Sequence, residues 1–558
     1  MLFRSYGYAR LVRYNEKFEL IPDILASLDN DGDKVFTLHL RPGHRWSDGK
    51  PFTAEDFRYW WEDVINNKQL QAAGPPKELL SDGKPPKVEF IDETTIRYSW
   101  ATPNPAFLPA LAGAAPTYIY RPAHYLKQFH QKYTDEATLK ALVEKAKVRS
   151  WTVLHNRTDA SSRNDNPDQP TLDPWTIQTR APSERFVLAR NPYFHRVDSR
   201  GQQLPYIDRV VMSIADGRII PAKTGSGESD LQARYLTFNN YTFLRQAAKR
   251  NAMQVNLWDT ARGAQVALYP NLSVNDPVWR KLNRDARFRR ALSLAINRHE
   301  INQVIYFGLA IEGGNTVLPN SPLYKKEYRE AWSRFDLKEA NRLLDELGLT
   351  KRDSRGLRLL PDGRPMKIVV ETAGESTEQM DILELVHDTW LDLGIKIYPK
   401  ALQRDVLRNR VFAGETVMCI WFGAEFALMD SDANPRDFVV HEQQQLQWPK
   451  WGQYRETKGK SGEPVDMPEA KELQTLEQAW AETADRDVRR GIWRRILEIN
   501  ADQQFTIGIV AGAMQPVVIG ATLKNLPEQG IFNWEPGAQF GMYRPDTFYF
   551  GNADVAQR

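Results

Sequence analysis

One cysteine, Cys419, stands in 558 residues. That excludes an intrachain disulfide and any cysteine-built metal site. Its setting, Val417-Met418-Cys419-Ile420-Trp421, reads as a buried strand around an inert thiol. The nine histidines are scattered, and His299-Glu300 is followed by Ile301, Asn302 and Gln303, so the zinc-protease spacing fails. No histidine pair sits at ligand spacing, and no metal, cofactor or catalytic residue is expected. The chain has no Gly-x-x-x-x-Gly-Lys-Ser/Thr phosphate loop and no Gly-x-Ser-x-Gly nucleophile elbow. No apolar run reaches the roughly 18–20 residues of a membrane span. The longest, 507–521, is interrupted by Gln515 and Pro516. A surplus of positive charge is missing too: 74 basic against 71 acidic residues leave +3, which argues against a nucleic-acid partner. Seventy-one acids make accidental pairs certain, so a glycosidase-like carboxylate pair stays open on this ground alone.

What is present is an ordinary soluble composition, 42% apolar and 26% charged. The length exceeds the roughly 250–300 residues at which a single core stops growing, so two or more domains are expected. Sixteen tryptophans are more than usual, and tryptophan supplies rigid contact area in binding clefts as well as in cores.

Residues 36–57, FTLHLRPGHRWSDGKPFTAEDF, are the most informative stretch. Phe36, Leu38 and Leu40 alternate with polar neighbours, as in a half-buried strand. Ser47 to Pro51 is turn chemistry, with Asp48 able to fold back on its own backbone and Gly49 tolerant of positive φ. Thr53 and Asp56 have capping-box spacing. Phe57, Trp60, Trp61, Val64 and Ile65 then form one apolar helical face. The density of Leu40, Arg41, Gly43, Trp46, Ser47, Asp48, Gly49, Pro51, Thr53, Ala54, Asp56 and Phe57 resembles the signature of the peptide/nickel-type solute-binding proteins of bacterial ABC importers, also called family 5. The side chains of the signature read as scaffold and do not locate a ligand.

The resemblance continues along the chain. It runs through Arg190-Asn191-Pro192-Tyr193-Phe194, Pro205-Tyr206-Ile207-Asp208-Arg209 and Gly227-Glu228-Ser229-Asp230, and then through the helical segment from Asp285 to Arg298. Further helices are expected from Asp336 to a stop at Gly348, and over Met380, Leu383, Val386 and Trp390 to Gly394, followed by a strand at 395–398. The resemblance implies an α/β, two-lobed periplasmic binding protein-like fold with an inserted subdomain and a ligand cleft between the lobes. Lobe I is expected at 1–40, 175–260 and 505–558, the inserted subdomain at 41–174 and lobe II at 261–504. Segments 156–174 and 452–468 read as surface excursions. The start, MLFRSYGYARLVRY, lacks the apolar core of a signal peptide. Relative to the family, it implies an N-terminally truncated chain.

Peptide-binding members carry Trp-x-Ala-Asp-Tyr/Phe in lobe II, where the aspartate pairs with the ligand's α-ammonium. Here Trp421-Phe422-Gly423-Ala424-Glu425-Phe426 keeps a tryptophan and an acid, with one extra residue and Glu for Asp. The resemblance therefore implies Trp421, Phe422 and Glu425 as ligand contacts. Tyr269 would lie on an aromatic strand near the hinge. Arg410 either clamps a ligand carboxylate or belongs to an ordinary basic helix end with Arg404 and Arg408. The implied function is capture of an oligopeptide, or a similar small polar oligomer, by a periplasmic monomer that serves an inner-membrane ABC permease and ATPase. An oligosaccharide- or opine-binding member of the same family is the alternative, and a secreted hydrolase acting on oligosaccharide is the alternative from another class.

Overall fold

The structure is a computed structural model that describes residues 6–161, 163 and 165–551. The signature segment forms as its residues dictate. Strand Val35–Leu40 buries Phe36, Leu38 and Leu40. Asp48 accepts a hydrogen bond from the Lys50 amide at 3.1 Å, and Gly49 takes φ +84°. Thr53 and Asp56 make the reciprocal capping box of helix Ala54–Arg58, which continues as a π-helical stretch over Tyr59–Ile65. Phe57, Trp60, Val64 and Ile65 are buried, and Tyr59 with them. Asp56 explains why this segment is scaffold. Its carboxylate, 3% exposed, accepts from the Thr53 amide, the Trp46 indole and the Ala123 amide at 2.9–3.1 Å. Burial still pushes its carboxyl up to about 7.

Two sheets carry the lobes. A three-stranded antiparallel sheet joins Leu231–Gln232, Gln515–Gly520 and Met253–Trp258. A six-stranded mixed sheet runs Ile311–Glu312, Ile507–Ala511, Val266–Pro270, Met418–Trp421, Lys367–Thr372, Lys396–Ala401. Its last pairs are parallel, as helical crossovers require. Helix Thr377–Asp392 makes one crossover, and Gly394 (φ +82°) turns the chain into the next strand. Asp285 and Asp336 cap helices Ala286–Leu294 and Leu337–Glu346. Phe288, Ala291, Leu292, Ala295 and Ile296 are all fully buried in the core of this lobe. Among the described residues no helix is long and apolar enough to cross a membrane.

Strand pairing runs across two expected boundaries. Val35–Leu40 pairs with Thr95–Ser99, so strands 25–40 share the four-stranded sheet and core of the segment placed at 41–174. Ile507–Ala511 belongs to the six-stranded sheet, so the chain leaves lobe II after it rather than before 505. The stretch 452–468 is no excursion at its start: helix Pro449–Glu456 buries Trp451 and Gly452.

The chain passes between the two sheets through 259–265 and 512–514. These crossings are tied together: Thr260 donates through its hydroxyl to the Ala513 carbonyl at 2.9 Å, and the Gln265 amide to Val510 at 2.6 Å. Two short strapped connections are the expected form of a hinge.

Candidate ligand-binding cleft

Strand Met418–Trp421 lies antiparallel to Val266–Pro270, with Trp421 opposite Ala267. Beyond it the chain turns out of the sheet toward the other lobe. Three bonds hold the turn: Gly423 N to Ala264 O at 2.8 Å, Gly263 N to Ala424 O at 2.9 Å, and Ala424 N to Asn315 Oδ1 at 2.9 Å. The half-buried Trp421 and Phe422 rings meet at 5.4 Å and 62°. The Arg404 guanidinium lies 5.1 Å from the Trp421 ring, and that of Arg262 only 3.8 Å from the Phe422 ring. Each arginine thus covers one aromatic face.

Glu425 sits where the lobes meet. Its amide donates to Asp437 Oδ2 at 2.9 Å, and its carbonyl accepts from the Asn533 side chain of the opposite lobe. Next to it the Phe426 and Phe18 rings touch across the cleft at 4.8 Å. Arg436 and Glu535 approach to 3.9 Å, Lys77 and Glu442 to 3.2 Å, and Asp33 and Arg489 to 3.4 Å. All of these pairs cross between lobes, so the described arrangement is closed.

The charge of the cleft is unbalanced. Glu425, Asp437 and Glu535 face Arg262 and Arg436, three carboxylates to two guanidiniums. Burial pushes the Glu425 carboxyl up; Arg262 opposes this, and Asp437 and Glu535 add to it. Burial likewise raises Glu535, against Arg436 and the Ala114 amide that donates to it at 3.2 Å. The Glu425 side chain keeps 31% exposure, yet its Oε2 is buried without a hydrogen-bond partner. The arrangement can accept one more positive charge.

Residues 19–445 match the family model of bacterial extracellular solute-binding proteins, family 5. The chain belongs to that family. This family 5 protein is 26% identical to the periplasmic alpha-galactoside-binding protein of Rhizobium meliloti, over 93% of this chain and 73% of that one. It is 29% identical to the periplasmic oligopeptide-binding protein OppA of Escherichia coli, over 66% of this chain and 63% of that one. Among solved structures, an oligopeptide-binding protein OppA aligns with TM-score 0.68 at 28% identity, covering 99% of this chain and 88% of that one. The binding protein MelB of Agrobacterium fabrum, solved with stachyose, aligns with TM-score 0.73 at 20% identity, covering 98% and 80%. The family 5 protein therefore has the two-lobed fold and the general role of an ABC-transporter solute-binding protein.

Two of the expected contacts, Tyr269 and Arg410, have partners within the protein. Tyr269 is 8% exposed and packs with Leu407, Val411 and Cys419. Its hydroxyl donates to the Phe422 carbonyl, so it supports the turn from beneath. Arg410, on helix Arg404–Ala413, is held by Glu371 at 3.0 and 3.2 Å and by Glu415 at 2.7 Å. Glu371 is 2% exposed and also accepts from Thr416 at 2.6 Å. The guanidinium compensates a buried acid and is not available as a carboxylate clamp. Arg410→Ala should lower the unfolding free energy by about 2 kcal/mol, discounted for its partial exposure, and leave ligand affinity unchanged. Thermal unfolding and calorimetric titration of the same sample check both halves.

Arg262, Arg436, Asp437 and Glu535 were not marked by any motif. They come from three separate stretches, with Arg436 and Asp437 adjacent, and become neighbours only when the hinge crossings and the C-terminal segment meet.

Proposed function

We propose that the protein captures an oligopeptide, or a similar small polar oligomer, between its lobes and hands it to an inner-membrane ABC permease, acting as a periplasmic monomer without chemical conversion of the ligand. The observation that carries this reading is the Glu425 carboxylate at the seam of the lobes, whose buried Oε2, among the described residues, accepts no hydrogen bond and meets only the Arg262 guanidinium, 3.9 Å away. A terminal ammonium supplies the missing hydrogen-bond donor. Trp421 and Phe422 line the same turn and offer apolar area beside it. The ligand is held from both sides, so it favours the closed arrangement over the open one, and that differential affinity drives hinge closure. Oligopeptide- and dipeptide-binding relatives support the solute class.

A second reading has its own support. The alpha-galactoside-binding relative aligns over 93% of this chain, and a stachyose-bound protein shares the fold, which favours an oligosaccharide.

The test is calorimetric titration with tri- to pentapeptides and with galacto-oligosaccharides, each recovered and analysed after incubation. Peptide binding that falls about 100-fold in Glu425→Ala is expected, the scale for removing one member of a buried charge pair. Binding of oligosaccharide alone, lost in Trp421→Ala, would move the assignment to a saccharide carrier. Recovery of cleaved ligand would identify a hydrolase.

A further inference from the structure

We propose that Arg262 is a specificity-determining ligand residue, taking the first carbonyl oxygen of the bound chain while Glu425 takes the terminal ammonium beside it. The inference rests on the oligopeptide reading above and goes further, assigning the residue that recognises the backbone next to the amine.

Arg262 lies in the 259–265 hinge crossing, and its side chain is 14% exposed. Its Nε stands 3.9 Å from Glu425 Oε2, beyond hydrogen-bond range. Both atoms are buried, and neither has a hydrogen-bond partner among the described residues. A buried charged donor atom and a buried charged acceptor atom thus face each other as a long ion pair, neither of them hydrogen-bonded, although buried polar groups are ordinarily satisfied. An ammonium alone would satisfy only Glu425, and a carboxylate alone only Arg262. The N-terminal residue of a peptide carries both complements, its nitrogen and carbonyl oxygen about 3 Å apart by bond lengths.

The guanidinium is also fixed in place. Its carbon lies 3.8 Å from the centre of the Phe422 ring, and Nη1 donates to Gln265 Oε1 at 3.3 Å. The Gln265 amide group in turn donates to Glu378 at 3.4 Å, and Tyr306 donates to the same carboxyl at 3.0 Å. Gln265, Glu378 and Tyr306 are all buried in lobe II. An arginine held this way has little orientation left to lose when a ligand arrives.

The experiment is calorimetric titration of the full chain with trialanine and with trialanine whose first peptide bond is an (E)-alkene, on wild type, Arg262→Gln and Arg262→Lys. Wild type should prefer the amide by at least 10-fold. In Arg262→Gln, trialanine should bind about 30-fold more weakly, and the two ligands should bind within about 2-fold of each other, the coupling a double-mutant cycle isolates. Arg262→Lys keeps a cation over Phe422 but loses the planar fork, so it should lose the preference as well. It carries the test should the glutamine variant fold poorly. A preference unchanged in both variants overturns the assignment to Arg262 while leaving the oligopeptide reading intact. Wild-type protein that binds oligosaccharide and no peptide overturns both, because one sugar hydroxyl can serve Arg262 and Glu425 together.

Discussion

Asp23→Ala is expected to lower the unfolding free energy by about 3–5 kcal/mol, the scale for breaking a buried ion pair by removing one partner. Asp23 is 5% exposed and gathers four donors: the Arg10 amide at 3.0 Å, Arg196 Nε and Nη2 at 2.9 and 2.6 Å, and His195 Nε2 at 3.1 Å. Arg196 also holds Asp546 at 2.6 Å. One carboxylate therefore ties the N-terminal strand region to residues 195–196 and, through Arg196, to the C-terminal segment. Alanine would leave a buried guanidinium half-paired and an amide with no acceptor.

The same group sets a pH dependence. Burial opposes the Asp23 charge, but Arg196 and His195 outweigh it and hold the carboxyl well below its ordinary range. A carboxyl depressed in the folded state contributes stability that is complete above the unfolded value of about 3.9 and disappears as pH falls through the folded value. Buried histidines act in the same direction. Burial lowers His44 from 6.5 to about 3 and His155 from 6.5 to about 4. Each stays neutral in the fold while its unfolded counterpart gains a proton, so each removes about 1.4 kcal/mol per pH unit as pH falls below about 6.5. Denaturant unfolding at pH 7.5, 5.5 and 4 should show stability declining throughout in wild type. Asp23→Ala should start several kcal/mol lower, and a variant as stable as wild type at pH 7.5 would contradict the network.

The parts legible in the sequence are those whose cause is local. The turn at Asp48-Gly49, the capping box at Thr53, the caps at Asp285 and Asp336 and the stops at Gly348 and Gly394 each need residues within a few positions of one another. So does the apolar face from Phe288 to Ile296. Side-chain partnership is not local. Arg410 has the chemistry of a carboxylate clamp until Glu371, 39 residues away, claims it. Tyr269 has the polar tip of a cleft residue until the Phe422 carbonyl takes its hydroxyl. The boundary expected at residue 40 failed for a related reason: the signature runs on from strand to helix, whereas Val35–Leu40 finds its second partner at Thr95–Ser99. Glu425 was visible through its motif, and its neighbours Arg262, Asp437 and Glu535 were not, because their meaning exists only where the lobes close.

Gly423→Ala should abolish ligand binding at concentrations that saturate wild type and cost about 3 kcal/mol of stability, at the upper end of the usual overpacking range. The backbone at Gly423 is not left-handed, so the penalty is not a dihedral one. It comes from crowding. A Cβ on residue 423 would lie 2.7 Å from the Ala264 amide nitrogen and 2.8 Å from the Ala264 side chain, and would press on the Asn315 side chain as well. Those groups are part of the lacing that holds the turn, through Gly423 N to Ala264 O and Ala424 N to Asn315 Oδ1. Relief requires the turn to lift off residues 263–264, and Phe422 and Glu425 would lift with it, away from Arg262. A displacement of about 1 Å is enough to undo a preorganised constellation of this kind. Circular dichroism together with calorimetric titration checks the expectation. A folded Gly423→Ala protein that binds ligand as wild type does would mean that the turn does not position the ligand, and the site would have to be sought elsewhere along the seam between the lobes.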